Sequence, residues 1–407
     1  MLVSFINCIL YTVIYICWVR NKKFGIGTIF IPFMYMLTAY GCLYSYINEP
    51  NNWRLTILPY IYLFIVYCIL IRPFKYLVPQ HCNRLAIRNE TCIRMIVYFY
   101  MLMAILTFLY SIQGAINALK SGDWLAIRNE LYYGEFYYSG FQRLYLNSYA
   151  MLNVLAEVYL FFRIATYNGK IKNLFFIILL AFCVYAPEIV NAIQAAARGT
   201  LFSMCIRIFI VYSIYSLFLS KIVKKVITLI SLIFLFLFLL LVIAITFSRF
   251  DTDAIDSLIY YFGHSMNTFN YGVMDTQHTF GGGRWFLGNY YESIFGGNAM
   301  NVSYDSAYGT HMETSFITTI GVLYVDFGPI FTIIIALMIS KVFSQKSKYG
   351  VFDIAHIYLY VVYAEFMVNG IFVEGKAYGM KLLIKLLLFF FISNFIFQKE
   401  KTWELVK

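Results

Sequence analysis

Two arginines at the ends of neighbouring apolar runs are the residues best suited to binding an anion. Arg198, in AARGTLF, begins one run and Arg249, in TFSRFD, ends the next. A helical hairpin would place both at one membrane face. Guanidinium groups stay charged and bind phosphate bidentately, so the pair predicts a site for a diphosphate head group. The alternative is that each arginine snorkels or pairs with Glu188 or Asp251.

A candidate general base lies in the long polar segment 248–313. His311, Glu313 and Asp251 are its groups closest to the adjacent apolar runs, and a hydroxyl nucleophile needs a base within hydrogen-bonding reach. His311 is favoured because it lies just before the next run, although a single loop histidine is also often structural. The Asp251 and Asp253 doublet resembles metal-binding pairs, but such doublets are common, and we predict no metal site or cofactor.

Ionisable residues within the apolar runs are energetically costly and point to an internal cavity. Glu188 lies toward the outer end of its run, near the two arginines, and we predict that it contributes to substrate binding. Asp326 lies mid-run beside Pro329, which favours a packing or kinking role. The residues of this kind are Glu157, Glu188, Arg207, Asp326, Glu365, Lys381 and Lys385.

The composition excludes several protein classes. Of 407 residues, 61% are hydrophobic, 20% are aromatic and only 13% are charged. This leaves too little polar surface for a soluble globule of this size. The eight cysteines lie in apolar runs or in one predicted cytoplasmic loop, so neither a structural disulfide nor a cysteine metal site is expected.

Runs of about twenty apolar residues match the length that a helix needs to cross a bilayer. We predict an all-α polytopic membrane protein in which residues 1–407 form one integral membrane domain with about eleven transmembrane helices. The runs lie near 2–19, 28–47, 55–71, 93–112, 145–166, 173–194, 200–219, 225–247, 314–340, 353–373 and 380–398.

Alternate connections differ in their content of lysine and arginine, and this difference predicts orientation. One set is rich in both and belongs on the cytoplasmic side, together with the tail that carries Lys399, Lys401 and Lys407. The N-terminus is then external and the C-terminus cytoplasmic. The formal charge of +11 is mainly this topology signal, so no nucleic-acid partner is expected.

Two predicted external loops are long, at 113–144 and 248–313, and long loops usually carry function. The second loop holds seven acidic groups and is rich in glycine, asparagine, tyrosine and tryptophan, which suits stacking on sugar rings and bonding to hydroxyls. The alternative is a helical cap whose glycines serve only as turns. In the first loop, Arg128, Tyr132 and Tyr133 are predicted to help hold a glycan.

Taken together, these features resemble the O-antigen polymerases of the Wzy type, the repeat-unit polymerases of bacterial surface polysaccharides. The resemblance rests on the span number, the dominant late loop, AARGTLF, and ETSFITTIGVLYVDFG after that loop. In that family, two external loops each carry an arginine followed by a glycine. Here Arg128 precedes Gly140 and Arg284 precedes Gly296, each with eleven residues between them. This spacing departs from the family pattern by one residue.

The resemblance implies a GT-C-like fold in the bacterial inner membrane and a metal-independent, inverting glycosyl transfer at its periplasmic face. The substrate would be an undecaprenyl-diphosphate-linked oligosaccharide, with Arg198, Arg249 and Arg284 as cations for the leaving group. A chain-length regulator and a flippase would be partners in this lipopolysaccharide pathway. Three other classes stay open at this point: an O-antigen ligase, a lipid-linked sugar flippase or transporter, and a structural scaffold.

Overall fold

The structure is a computed structural model of the chain. It describes the residues 1–20, 26–50, 53–75, 84–124, 126–127, 140–249, 262–274, 280–288, 291, 317–344, 351–371, 378–394 and 401–404.

Within the described residues, helices form at all eleven predicted apolar runs, and α9 and α10 lie within the second long loop. In chain order the helices are α1 (Leu2–Arg20), α2 (Ile26–Asn48), α3 (Ile57–Ile71), α4 (Glu90–Ser121), α5 (Gly140–Ala165), α6 (Ile171–Gln194), α7 (Arg198–Tyr215), α8 (Lys221–Arg249), α9 (262–268), α10 (Arg284–Leu287), α11 (Thr318–Phe343), α12 (Ile354–Asn369) and α13 (Tyr378–Asn394). A 3₁₀ turn, Arg72–Lys75, follows α3, and a π-helix, Phe269–Met274, continues α9.

Seven helices within the described residues are long and apolar enough to cross a membrane: α1, α2, α3, α4, α5, α6 and α11. The apolar parts of α7 and α12 are shorter. The chain is therefore a helical membrane protein, as predicted. The count of eleven spans, the orientation and the GT-C-like arrangement stay predictions.

A small β-sheet joins three distant parts of the chain, which the prediction of an all-α protein did not include. Its strands are β1 (Arg84–Ile87), β2 (Val351–Asp353) and β3 (Lys401–Glu404), in the order β2-β1-β3. The central strand β1 pairs with β2 in parallel and with β3 antiparallel. Strands of three or four residues give no long alternating pattern, so hydropathy does not detect them.

The chain divides into two compact units. Unit 1 comprises Met1–Gln80, Ile255–Ser347 and Val362–Leu386, and unit 2 comprises the remaining segments His81–Ala254, Lys348–Val361 and Leu387–Lys407. The prediction of one membrane domain is not decided by this division.

The core of unit 1 is built from buried tyrosines. Tyr35 and Tyr67 pack with ring centroids 4.2 Å apart, and Tyr363 stacks on Phe343 at the same separation. A buried phenol needs a partner for its hydroxyl. The Tyr35 hydroxyl donates to the carbonyl of Met367 over 3.0 Å. Aromatic packing, together with this hydrogen bond, thus joins α2, α3, α11 and α12.

Candidate functional site

Two short segments of the second long loop are anchored on α11, and proline explains the first contact. A helix carbonyl normally accepts from the N–H four residues later, but Pro329 has none to offer to Val325. The N–H of Gly281 donates to the Val325 carbonyl instead, at 3.0 Å. Gly328 has a φ of 74°, so α11 is kinked there. The predicted kink beside Pro329 is therefore present.

Asp326 fixes the next part of the same loop. Its carboxylate accepts from the backbone N–H groups of Trp285 and Phe286, at 3.1 and 2.5 Å. Its carbonyl accepts from Gly282 at 2.8 Å. A carboxylate at the first N–H groups of a short helix satisfies donors that have no partner within that helix. A mid-span aspartate thereby positions α10.

Arg284 is the first residue of α10 and is half-buried. Its guanidinium lies 5.5 Å from the ring centroid of Tyr291, a cation–π geometry. It also interacts electrostatically with Asp326. Of the arginines predicted to bind phosphate, Arg284 is the one whose side chain lies within the described residues. The hydrogen bonds of the α10 backbone to Asp326 position Arg284, and the ring of Tyr291 contacts its guanidinium.

An aromatic cluster surrounds this anchor, and Tyr324 of α11 lies at its centre. Tyr324 makes edge-to-face contacts with three rings whose centroids lie between 5.4 and 6.2 Å away: Tyr62, Phe269 and Phe280. Phe286 of α10 packs on Phe327 at 6.0 Å. A guanidinium can bind a phosphate, and aromatic rings can stack on sugar rings.

His264 is the loop histidine that the described residues include, and it lies on α9. It is 5% exposed and packs edge-to-face on Trp53 at 5.1 Å. Burial lowers its pKa from the ordinary 6.5 to about 4, against the opposing effect of Glu49. The imidazole is therefore neutral at pH 7.

Asparagines fix α9 and the following π-helix to neighbouring elements of unit 1. Asn267 accepts a hydrogen bond from the Tyr60 hydroxyl at 2.5 Å. Asn270 donates to the carbonyl of Thr56 at 2.7 Å and accepts from its N–H at 3.0 Å. α9 and the π-helix are thus packed against neighbouring elements of unit 1.

A second polar site lies inside unit 2, where one arginine serves two glutamates. Arg207 of α7 donates to Glu157 of α5 and to Glu188 of α6. The three residues are 3%, 0% and 7% exposed, respectively. Two neutral side chains complete the cluster, because Asn153 donates to Glu188 at 2.9 Å and Tyr185 to Glu157 at 3.0 Å.

This cluster joins three helices, α5, α6 and α7, through side-chain contacts. The sequence predicts that Glu157, Glu188 and Arg207 are energetically costly charges, but it does not predict their pairing. The signal was their opposite charges on three consecutive apolar runs. Glu188 has internal partners in Arg207 and Asn153, and its predicted contact with substrate stays a prediction.

Arg198 begins α7 and Arg249 ends α8, as predicted. With 29 residues against 18, α8 is longer than α7 by about 16 Å at 1.5 Å per residue. Arg249 therefore lies further along its helix from the turn between α7 and α8 than Arg198 does. The phosphate-binding role of the two arginines stays a prediction.

Several predicted site residues lie outside the described residues: Arg128, Tyr132, Tyr133, Asp251, His311 and Glu313. Among the residues that the structure does describe, no three side chains of His, Cys, Asp or Glu are grouped to hold a metal ion.

Comparison of the chain with known protein families, with curated proteins and with solved structures finds no match.

Proposed function

We propose that the protein is a metal-independent glycosyltransferase that polymerises undecaprenyl-diphosphate-linked oligosaccharide repeat units. The reaction would occur at the periplasmic face of a bacterial inner membrane and supply O-antigen or a related surface polysaccharide. The observation that carries the proposal is Arg284, which lies on a segment anchored to α11 and packs its guanidinium on the ring of Tyr291. These groups suit a substrate that combines a diphosphate with sugar rings.

The chemistry divides between a cation and a base. A hydroxyl oxygen of the acceptor sugar attacks the anomeric carbon of the donor, and the bond to the diphosphate oxygen breaks. A guanidinium stabilises the charge that develops on the leaving diphosphate, a role for Arg284 together with Arg198 and Arg249. A base takes the proton of the hydroxyl, a role for His311, Glu313 or Asp251.

The polysaccharide ladder of cells with and without the gene tests the proposal. A polymerase gives many repeat units when present and one when absent. A ligase instead transfers chains that are already long, so its loss leaves long chains on the lipid carrier. Unchanged ladders would contradict the proposal.

Variants at one position test the role of Arg284. Arg284→Ala should reduce ladder length to one or a few units, and Arg284→Lys should also be impaired because a point charge cannot replace the guanidinium fork. Arg54→Ala is the matched control, since Arg54 is an exposed arginine of unit 1. Normal ladders from Arg284→Ala at normal protein levels would remove Arg284 from the site.

A second candidate is a flippase or proton-coupled transporter of lipid-linked sugars. It is favoured by the buried carboxyls of Glu157 and Glu188, since ionisable groups inside a membrane often form proton relays. The location of the accumulated intermediate separates the two. Loss of a polymerase leaves lipid-linked single units on the periplasmic side, whereas loss of a flippase leaves them on the cytoplasmic side.

A further inference from the structure

A groove runs between α3 and α11 on the outer surface of unit 1. Its volume is about 290 Å³, close to the lower end, roughly 300 Å³, of small-molecule pockets. Two rim residues are well exposed, Ile65 at 48% and Leu337 at 49%, so the groove opens outward. Its lining is Phe64, Ile65, Cys68, Ile69, Arg72, Leu337 and Ser340.

The lining is apolar along its length and cationic at one end. Arg72 lines that end and begins the 3₁₀ turn after α3. Lys75 ends the same turn, and Lys341 directly follows Ser340, with all three cationic side chains exposed. Among the described residues, no carboxylate pairs with Arg72. Arg72 therefore places a positive charge at one end of an apolar groove, and Lys75 and Lys341 lie close to the groove residues in sequence.

We propose that this groove binds an anionic phospholipid of the cytoplasmic leaflet. One acyl chain lies along Phe64, Cys68 and Leu337, and the head-group phosphate contacts Arg72. The predicted orientation places Arg72, Lys75 and the neighbouring Lys341 on the cytoplasmic side, where anionic lipids are attracted by basic clusters.

Charge complementarity selects the anionic lipid over a zwitterionic one. Both classes of phospholipid carry a phosphate, but a phosphatidylethanolamine also brings an ammonium group, which the Arg72 cation repels. Phosphatidylglycerol carries no such group. The site is independent of glycosyl transfer, so its failure would leave the proposed function untouched.

Native mass spectrometry of the purified full-length protein tests the proposal. The probes are phosphatidylglycerol and phosphatidylethanolamine with identical acyl chains. The wild-type protein should retain phosphatidylglycerol preferentially, and Arg72→Gln should weaken that binding roughly fivefold. Lys172→Gln removes an exposed lysine of unit 2 and should leave the preference intact. Equal retention of both lipids, or no effect of Arg72→Gln, would overturn the proposal.

Cysteine alkylation gives a second readout that does not depend on a variant. Cys68 lines the groove, whereas Cys17 is exposed on α1. Phosphatidylglycerol should slow modification of Cys68 by a hydrophobic maleimide several-fold and leave Cys17 unaffected, as measured by peptide mass spectrometry. Equal protection of the two cysteines would show non-specific lipid coating, and equal protection of Cys68 by both lipids would show no charge selectivity. Either result would contradict the proposal.

Discussion

Buried charge is the feature that most constrains this protein at the scale of single residues. Arg207 contacts both Glu157 and Glu188, and none of the three side chains is more than 9% exposed. Removing one partner of a buried ion pair leaves an uncompensated charge, which destabilises a protein more than the pair itself stabilises it. The arginine is the critical member, since without it two carboxylates would share one buried space.

We therefore expect Arg207→Met to lower the free energy of unfolding by roughly 3–5 kcal/mol. Glu188→Gln should cost less, because the amide removes a charge and still accepts from Asn153. The measurement is the apparent melting temperature of the protein in detergent. Arg94→Met is the control: its pair with Glu90 joins neighbouring turns of one helix, with the arginine side chain 44% exposed, and should contribute less than about 1 kcal/mol. Equal melting temperatures for the two arginine variants would contradict this assignment.

The buried His264 makes stability depend on pH. Its folded-state pKa of about 4 lies below the ordinary value of 6.5, so between these pH values the unfolded chain binds a proton that the folded chain does not. Stability is therefore full above pH 6.5 and falls as the pH approaches 4, by up to about 3 kcal/mol. Unfolding in denaturant at several pH values measures this slope. His264→Gln should have a shallower slope, and an unchanged one would refute the assignment.

At the scale of single residues, the sequence predicts which buried charges are energetically costly, but it does not predict their ion-pair partners. Glu157, Glu188 and Arg207 could be recognised because an ionisable residue within an apolar run is unusual. Their pairing depends on the packing of α5, α6 and α7, which a single sequence does not specify. Asp326 was predicted to have a local role at the kink, and it also binds a loop segment some forty residues earlier in the chain.

At the scale of elements, α11 is both a predicted span and the anchor of a loop. Asp326→Ala removes the acceptor for two N–H groups of α10, so we expect the segment 280–288 to detach from α11 more often. Limited proteolysis should then cut near this segment several-fold faster. Thr332→Val, a change on the same helix beyond the kink, should leave the rate unchanged. Equal cleavage rates in both variants would show that the anchor is unimportant.

The contact between α2 and α9 requires a glycine at position 263. A Cβ built on Gly263 would lie 2.1 Å from the carbonyl carbon of Gly41, and backbone atoms cannot move aside at low cost. Gly263→Ala should therefore lower the apparent melting temperature by several degrees or prevent folding. Gly199→Ala on α7 is the matched control, since nothing lies within 4 Å of its added Cβ and alanine favours helix. The contact would be refuted if both variants melted alike.

Hydropathy predicted where the helices lie but not how the loop between α8 and α11 is built. Long apolar runs specify helices because each must satisfy its own backbone groups in lipid. The π-helix Phe269–Met274 and the short α10 carry no such signal, since their positions depend on contacts with Tyr324 and Asp326. The positions of α10 and the π-helix in the candidate site therefore could not be predicted from hydropathy and are known only from the structure.

At the scale of the whole molecule, the sheet supports the predicted topology. Strands that pair must lie on the same side of the membrane, so an even number of crossings separates each from the next. Between β1 and β2 the predicted spans are α4, α5, α6, α7, α8 and α11, and between β2 and β3 they are α12 and α13. Both numbers are even. The lysine and arginine distribution predicted the same three segments to be cytoplasmic, without reference to any strand.

This agreement gives a strict test of the topology. Reporter domains inserted after Lys348 and fused after Lys407 should report the same side, because β2 and β3 belong to one sheet with β1. A reporter inserted after Gly296 should report the opposite side, since α11 is the predicted span between Gly296 and Lys348. We expect cytoplasmic signals for the first two and a periplasmic signal for the third. Opposite signals from Lys348 and Lys407 would exclude the sheet in the membrane-inserted protein. One location for all three would exclude a crossing by α11 and remove Arg284 from the periplasmic face, where the proposed chemistry requires it.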